Sequence, residues 1–338
     1  MRMIPVVITV VAGAALVHAG DAVHLSPDDV GPESIVYWQG EYVGTIEVDG
    51  GEQVLAAQVV ARRNDNYELV LYRGGLPGHG WDPESGMERM TAKLSEGRLV
   101  FEDGQGHEYE VVNGAIVLSH EERGTLGKLS RTFRTSPTLG LDAPEGAVVL
   151  FDGTHVDKWR EGATRTEDGL LEQGARTVDE YGDIFLHVEY MLEFWDSGAR
   201  TNSGVYIQDR YEVQILDSFG HSPGRSEDGA LYRARAPDVN VTLPPYHWQT
   251  FDILFRAPRF DDDGEKIENV RISVIHNGVL VHDNVELKGG TGWGGRKKEV
   301  PREHLYLQRH RGPGVFRNVW LIEDPDGWPE AVKSLVAD

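Results

Sequence analysis

The sequence predicts an all-β protein, with a β-sandwich in the C-terminal half and a small antiparallel β domain before it. Three observations lead there. Short apolar runs with the period-two alternation of strands recur along the 338 residues. Forty glycines and sixteen prolines interrupt them every few residues, as turns between many strands require. No amphipathic stretch exceeds about two helical turns. The length is more than one ordinary domain needs and leaves core for two. A formal net charge of −22 argues against nucleic acid or an anionic membrane surface as partner. The absence of cysteine excludes disulfides, thiolate catalysis and cysteine-based zinc sites.

In chain order, Arg2 precedes an apolar run at 6–16 that is too short to span a bilayer. Val17-His18-Ala19 then offers the small residues of a signal-peptidase site, so residues 1–19 read as a signal peptide, an uncleaved anchor being the alternative. The mature chain is expected to be secreted or periplasmic, with no membrane insertion after cleavage. Residues 20–33 are polar and unpatterned, a linker. Strand-like runs at 53–61, 67–72, 98–102, 107–112 and 115–118 predict the small antiparallel domain, spanning 34–138. Its glycine-rich loop 74–82 carries His79 and Trp81, which either reach over a ligand or stay exposed. The Pro/Gly-rich stretch 136–146 marks the domain boundary, with the linker at 139–146. Stronger strand signals follow within 147–324, at 147–151, 184–194, 248–255, 270–275, 279–282, 305–308 and 315–322. Asn277-Gly278 is the strongest hairpin signal among them. Residues 325–338 form a tail in which Trp328-Pro329 opens a short helix.

The most informative stretch runs from Asn202 to Asp217. Tyr211, Val213 and Ile215 alternate with Glu212, Gln214 and Leu216, which gives a strand one apolar face. The other face carries a carboxylate and a carboxamide about 7 Å apart. It is either solvated or the floor of a polar cleft. Residues 204–208 read as the partner strand, and Asp209-Arg210 lacks the chemistry of a two-residue turn, so a longer loop is expected.

Several motifs resemble one family. Leu150-Phe-Asp-Gly153 followed by Trp159, then Asn202-Ser-Gly-Val205 and Tyr211-Glu-Val-Gln-Ile-Leu-Asp217, are similar to the DUF1080 family, the 3-keto-disaccharide hydrolase domain. So are Trp248-Gln-Thr-Phe-Asp252, Ala257-Pro-Arg-Phe260, His276-Asn-Gly-Val-Leu280 and Phe316-Arg-Asn-Val-Trp320. The likeness covers roughly 147–323, and the segments around 40–44 and 74–78 resemble the extension of secreted planctomycete-type members. It implies a concanavalin-like jelly roll whose concave sheet binds a carbohydrate substrate. The sequence departs from the family pattern at two positions, and Glu227-Asp-Gly-Ala-Leu-Tyr232 replaces a more glycine-rich loop. Leu307-Gln-Arg-His-Arg311 places Arg309 where an Asp is expected and Arg311 where a Gly is expected. If this stretch is a strand, Gln308 and His310 still share one face.

Ordinary glycoside hydrolysis needs two carboxyl groups about 5–9.5 Å apart. Glu212 and Asp217, five residues apart on one strand, would lie about 17 Å apart on opposite faces, so they are not that pair. A 3-keto sugar needs less, because the ketone acidifies the C2 proton. One base can then remove it and expel the C1 substituent, and water adds to the enone. Glu212 or His310 is the candidate base, the other donating a proton or binding a divalent metal, and Arg317 is a candidate to stabilise the enolate. Asn202, Gln214, Gln308 and Trp248 are the candidate substrate contacts. Two rival readings are a lectin-like binding module without turnover and a conventional glycoside hydrolase. Asp261-Asp-Asp-Gly-Glu265 lacks the twelfth-position ligand of a calcium loop and reads as a solvated turn. Metal use and oligomeric state are left open.

Overall fold

The computed structural model describes residues 30–48, 50–195 and 198–335. The expected signal peptide at 1–19 and most of the 20–33 linker lie outside the described residues.

After the single-turn helix α1 (Ile35–Trp38), the N-terminal unit consists of β1 (Gly40–Val48), β2 (Gly51–Ala61), β3 (Asn66–Arg73), β4 (Met87–Lys93), β5 (Leu99–Glu102), β6 (His107–Val112), β7 (Ala115–His120) and β8 (Gly124–Thr132). These eight antiparallel strands form one near-barrel sheet in the order β4-β3-β2-β1-β8-β7-β6-β5. The alternating residues Leu55, Val59, Leu69, Leu71, Phe101, Ile116, Leu118 and Leu129 fill its core. Strands β1, β4 and β8 are polar or glycine-bearing, so local alternation did not reveal them.

The C-terminal unit contains β9 (Val148–Phe151), β10 (Leu171–Glu172), β11 (Ile184–Leu192), β12 (Asn202–Ile207), β13 (Tyr211–Leu216), β14 (Gln249–Arg256), β15 (Arg259–Phe260), β16 (Lys266–Glu268), β17 (Val270–His276), β18 (Val279–Leu287), β19 (Tyr306–Leu307), β20 (Gly314–Glu323) and the terminal turn α2 (Glu330–Lys333). A seven-stranded sheet runs β10-β20-β11-β14-β17-β18 with β9 on β20, and a smaller sheet runs β13-β12-β19. Backbone bonds extend the smaller sheet at both edges. Tyr232 donates to the Glu212 carbonyl on the β13 side, and Leu307 donates to the Ala175 carbonyl on the β19 side. The apolar faces meet between the sheets, where Leu186, Val188, Phe251 and Ile253 pack with Val205, Ile207, Val213 and Ile215. Each sheet keeps a second face turned away from this core. The Asn277-Gly278 turn joins β17 to β18 with φ of 49° and 83°, as its sequence implied.

The boundary stretch has no regular structure, but it is fastened to the outer face of the large sheet. Thr138 Oγ1 donates to Asp252 Oδ2 at 2.6 Å, and Gly140 N–H donates to Glu189 Oε1 at 2.5 Å. The Leu141 carbonyl accepts from Asn318 Nδ2 at 3.0 Å and Trp320 Nε1 at 3.1 Å. The two units also share an apolar contact, in which Phe219, just after β13, packs among Ala56, Val60, Tyr72 and Leu76. The 74–82 loop docks through Gly78 on Val241 and Val279. His79 is exposed there, while Trp81 packs against Tyr72.

A fragment that begins at Ser136 should therefore be more stable than one that begins at Gly146. The shorter fragment leaves Asp252 and Glu189 short of donors, and each unsatisfied buried group costs roughly 1–3 kcal/mol. Urea midpoints of the two fragments check this; equal midpoints would mean that the connector stabilises nothing.

Candidate functional site

The site is built on the outer face of β13, β12 and β19. Alternation turns Tyr211, Val213 and Ile215 into the core and Glu212 and Gln214 away from it. Neither polar side chain is solvated, Glu212 being 2% and Gln214 3% exposed. Directly paired residues of antiparallel strands share a face, so register assembles the rest. Tyr206 lies opposite both Glu212 and Tyr306. Tyr232 joins the same row, because Leu231 pairs with Val213. The next row holds Gln214 opposite Gly204, whose carbonyl accepts from Gln308 N–H at 2.8 Å. Asn202 continues that face along β12. Gly204 is needed for close approach, since a Cβ there would strike the Glu212 carboxylate. The β12–β13 loop has three residues, longer than a two-residue turn as expected, with Gln208 and Asp209 at φ of 53° and 54°.

Glu212 sits at the centre. The Tyr206 hydroxyl donates to its Oε2 at 2.6 Å. With its amide nitrogen turned inward, Gln214 donates to Oε1 at 3.2 Å. Burial pushes the Glu212 carboxyl up, and the Tyr206 bond and the nearby Arg233 charge only partly offset it, so the group titrates at about 7. Tyr206 is itself pushed up by burial and by the Glu212 charge, so it remains a proton donor. A carboxylate that titrates near neutrality beside a protonated phenol can move a proton in either direction. The Arg176 guanidinium stands 4.7 Å from the Tyr306 ring centroid and pairs with Asp209 at 3.1 Å. Gln308 Oε1, Asn202 Oδ1 and Arg176 Nε are buried without a hydrogen-bond partner. Such groups are rare in folded proteins, and sugar hydroxyls are their natural complement.

Glu212, Gln214, Gln308 and Asn202 thus meet on one face. Arg317 and Trp248 do not join them there, and His310 falls out of the strand pattern. One extra residue lies between Gln308, opposite Gly204, and Arg311, which pairs with Asn202, so strand alternation does not carry to His310, which is exposed. It lines a groove of about 990 Å³ with Arg309, Arg311, Glu172 and Glu193. Arg317 belongs to the outer face of the opposite sheet, because it pairs in register with Glu189 and binds its carboxylate at 2.6 Å. It also covers the buried Trp248 ring at 4.0 Å. Among the described residues, the carboxylate–imidazole group with metal-ligand spacing is Glu180, Glu303 and His304. Both ring nitrogens of His304 are already engaged, by Arg160 and by the Asp179 carbonyl, so it is a poor ligand.

A family profile described as the 3-keto-alpha-glucoside-1,2-lyase-like domain matches residues 146–322, just over half of the chain. The chain belongs to this family. No curated protein matches it. Among solved structures, a provisionally assigned glycosyl hydrolase from Parabacteroides distasonis ATCC 8503 is 29% identical, with a TM-score of 0.49, covering 54% of this chain and 85% of that one. Another from the same organism is 17% identical with a TM-score of 0.41, covering 54% and 95%. Membership of the 3-keto-glucoside lyase-like family implies a carbohydrate substrate. The domain's site residues include several that local reading missed. Tyr206 shares the period-two face of Asn202 and was legible in principle. Arg176, Tyr232 and Tyr306 reach the site only through long-range pairing.

Two substitutions separate the faces. A carboxyl whose folded pKa is raised stabilises the fold fully below its unfolded value and loses that contribution as pH rises through the folded one. Glu212→Gln should therefore match the parent's stability near pH 4 and exceed it at pH 8, by on the order of 2 kcal/mol. Thermal melts at the two pH values check this. On the other face, burial pulls His187 down, but bonds to Asp252 and Glu189 outweigh it and hold the imidazole up at about 9. Burial likewise pushes Glu189 up, yet bonds from His187, Asn318, Arg317 and Gly140 bring it down to about 2. The His187 contribution is full below its unfolded pKa and lost as pH rises through about 9, while that of Glu189 is lost as pH falls through about 2. Arg317→Met should cost roughly 1–2 kcal/mol, moderated because Arg317 is 34% exposed. It should leave turnover per folded molecule unchanged; a large drop in kcat without loss of stability would return Arg317 to the catalytic set.

Proposed function

We propose that this chain is a secreted or periplasmic enzyme that cleaves 3-keto-glycosides by elimination across C1 and C2, on a concanavalin-like jelly roll. The observation that carries this reading is the Glu212 carboxyl, buried yet titrating at about 7 beside the Tyr206 hydroxyl, on a face with unpaired polar atoms. Such a base is matched to a carbon acid activated by a neighbouring ketone. Glu212 takes the C2 proton, the C2–H electrons form the enolate, and the enolate collapses to a C1=C2 double bond as the C1 oxygen departs. The leaving oxygen takes a proton from Tyr206 or from the newly protonated Glu212. Water added across the enone completes a net hydrolysis. Arg233, whose charge reaches Glu212, replaces Arg317 as the cation placed to steady the developing negative charge, with Arg176 further along the same row over Tyr306. Asn202 and Gln308 accept from ring hydroxyls through their free carbonyl oxygens. We take the N-terminal near-barrel to be the extension of planctomycete-type members and residues 139–146 to be the linker between domains.

The test uses 3-keto-trehalose and 3-keto-lactose beside their unoxidised parents. Only the keto forms should be cleaved, with kcat/KM rising through an inflection near pH 7 as Glu212 ionises. Deuterium at C2 should slow cleavage or exchange with solvent first. Glu212→Gln should lose at least roughly 10²-fold in kcat. Equal cleavage of the parent sugars without isotope effect or exchange would identify a conventional hydrolase. Binding without any turnover would identify a lectin.

A further inference from the structure

We infer that Trp293 is a stacking platform for the ring that departs from C1, either a second sugar or a flat aglycone. This rests on the reading of Glu212 as the reacting group. Residues 289–297, Gly-Gly-Thr-Gly-Trp-Gly-Gly-Arg-Lys, form a glycine-rich loop between β18 and β19. Buried Thr291 ties the loop to the site strand. Its hydroxyl oxygen accepts the Glu212 N–H at 2.7 Å, and its own N–H donates to the Arg210 carbonyl at 2.9 Å.

The glycines on either side of Trp293 then fix its place. Gly292, at φ of 45°, lies where a Cβ would strike the Tyr232 ring, and Tyr232 shares the Glu212 face. A Cβ at Gly294 would strike the Arg210 backbone. The loop is therefore pressed against both the start of β13 and the end of the Tyr306–Tyr206–Glu212–Tyr232 row. Trp293, held between these two contacts, is 61% exposed and is the one exposed tryptophan among the described residues. The Arg296 guanidinium lies over one face of its ring, 4.1 Å from the centroid, and orients the indole while most of the residue stays in water. Arg176 over Tyr306 and Arg233 over Tyr232 repeat the same pairing along the row.

A large apolar ring kept in water is a liability on an otherwise charged surface. A backbone built to present it beside a sugar-cleaving carboxyl has a use for it. The C–H faces of a pyranose, or the flat face of an aromatic aglycone, would bury against the indole while polar edges stay wet. Glu212 reacts at C2 of one ring, so the ring attached at C1 is the one that reaches past Tyr232 toward the loop.

The test measures equilibrium binding in a Glu212→Gln background, which slows turnover while keeping the shape of the site. The ligands are 3-keto-trehalose, an aryl 3-keto-glucoside and methyl 3-keto-α-glucoside. The first or second should bind on the order of tenfold tighter than the methyl glycoside, equivalent to one modest aromatic contact. Trp293→Ala should abolish that advantage and Trp293→Phe should restore most of it, with no change in melting temperature. An advantage seen with the disaccharide assigns the platform to a second sugar; one confined to the aryl ligand assigns it to an aromatic aglycone. An advantage that survives Trp293→Ala, or no advantage for either ligand, overturns the proposal. If the parent enzyme turns over none of these ligands yet the advantage and its loss are seen, the platform stands and the elimination reading fails. If it turns over all three, with preferences unchanged by Trp293→Ala, the elimination reading stands and the platform fails.

Discussion

The arrangement of this molecule depends on one carboxyl group kept out of water. Glu212 is placed by the period of its strand, with the core on the other side of the same backbone, so it cannot turn outward without dragging Val213 and Tyr211 from their packing. Its environment is completed by its own strand, by the neighbouring β12 and by one distant loop. Gly204 leaves room for the carboxylate, Tyr206 donates to it, Gln214 holds its second oxygen, and Thr291 caps its backbone nitrogen. Together they supply fewer charges than burial demands, and the group therefore stays protonated far above the ordinary carboxylate range. The same property makes it useful as a base near neutrality and mildly unfavourable for the fold.

The two outer faces of the C-terminal unit carry polar networks of opposite kind. Beneath the connector, His187, Glu189, Asp252 and Arg317 pair with one another, and Thr138 and Gly140 complete the bonds from above. Opposite charges compensate, so the carboxyl of Glu189 is held down and the imidazole of His187 up. On the Glu212 face the carboxyl is held up instead, and acceptors on Asn202 and Gln308 have no partner. The satisfied network fixes the 136–141 segment to a sheet, whereas an unsatisfied one invites a ligand.

Much of this was legible in the sequence where information is local. Alternation exposed the strands around Glu212, and Asn277-Gly278 marked its hairpin. Glu212 and Gln214 were read onto one face because two-residue periodicity decides it, whereas strand pairing brings Asn202 and Gln308 beside them. Arg317 and Trp248 were misplaced because alternation tells which residues share a face but not which of two sheets owns the strand. His310 falls outside the expected period because an extra residue between Gln308 and Arg311 interrupts the pairing with β12. Arg176, Tyr232 and Trp293 carry no local signal at all. Backbone pairing brings Arg176 and Tyr232 beside the site, and contact with Arg210 and Tyr232 brings the Trp293 loop there.

The titration of Glu212 itself is the most direct measurement. Carbon-13 NMR of glutamate carboxyls, with the Glu212 resonance assigned by its loss in Glu212→Gln, should show one carboxyl whose shift changes around pH 7. An inflection between about pH 4 and 5, the range of an unperturbed glutamate, would contradict the account. It would mean that water or an opposite charge reaches the carboxyl, and that the face built around it is not the site of proton transfer.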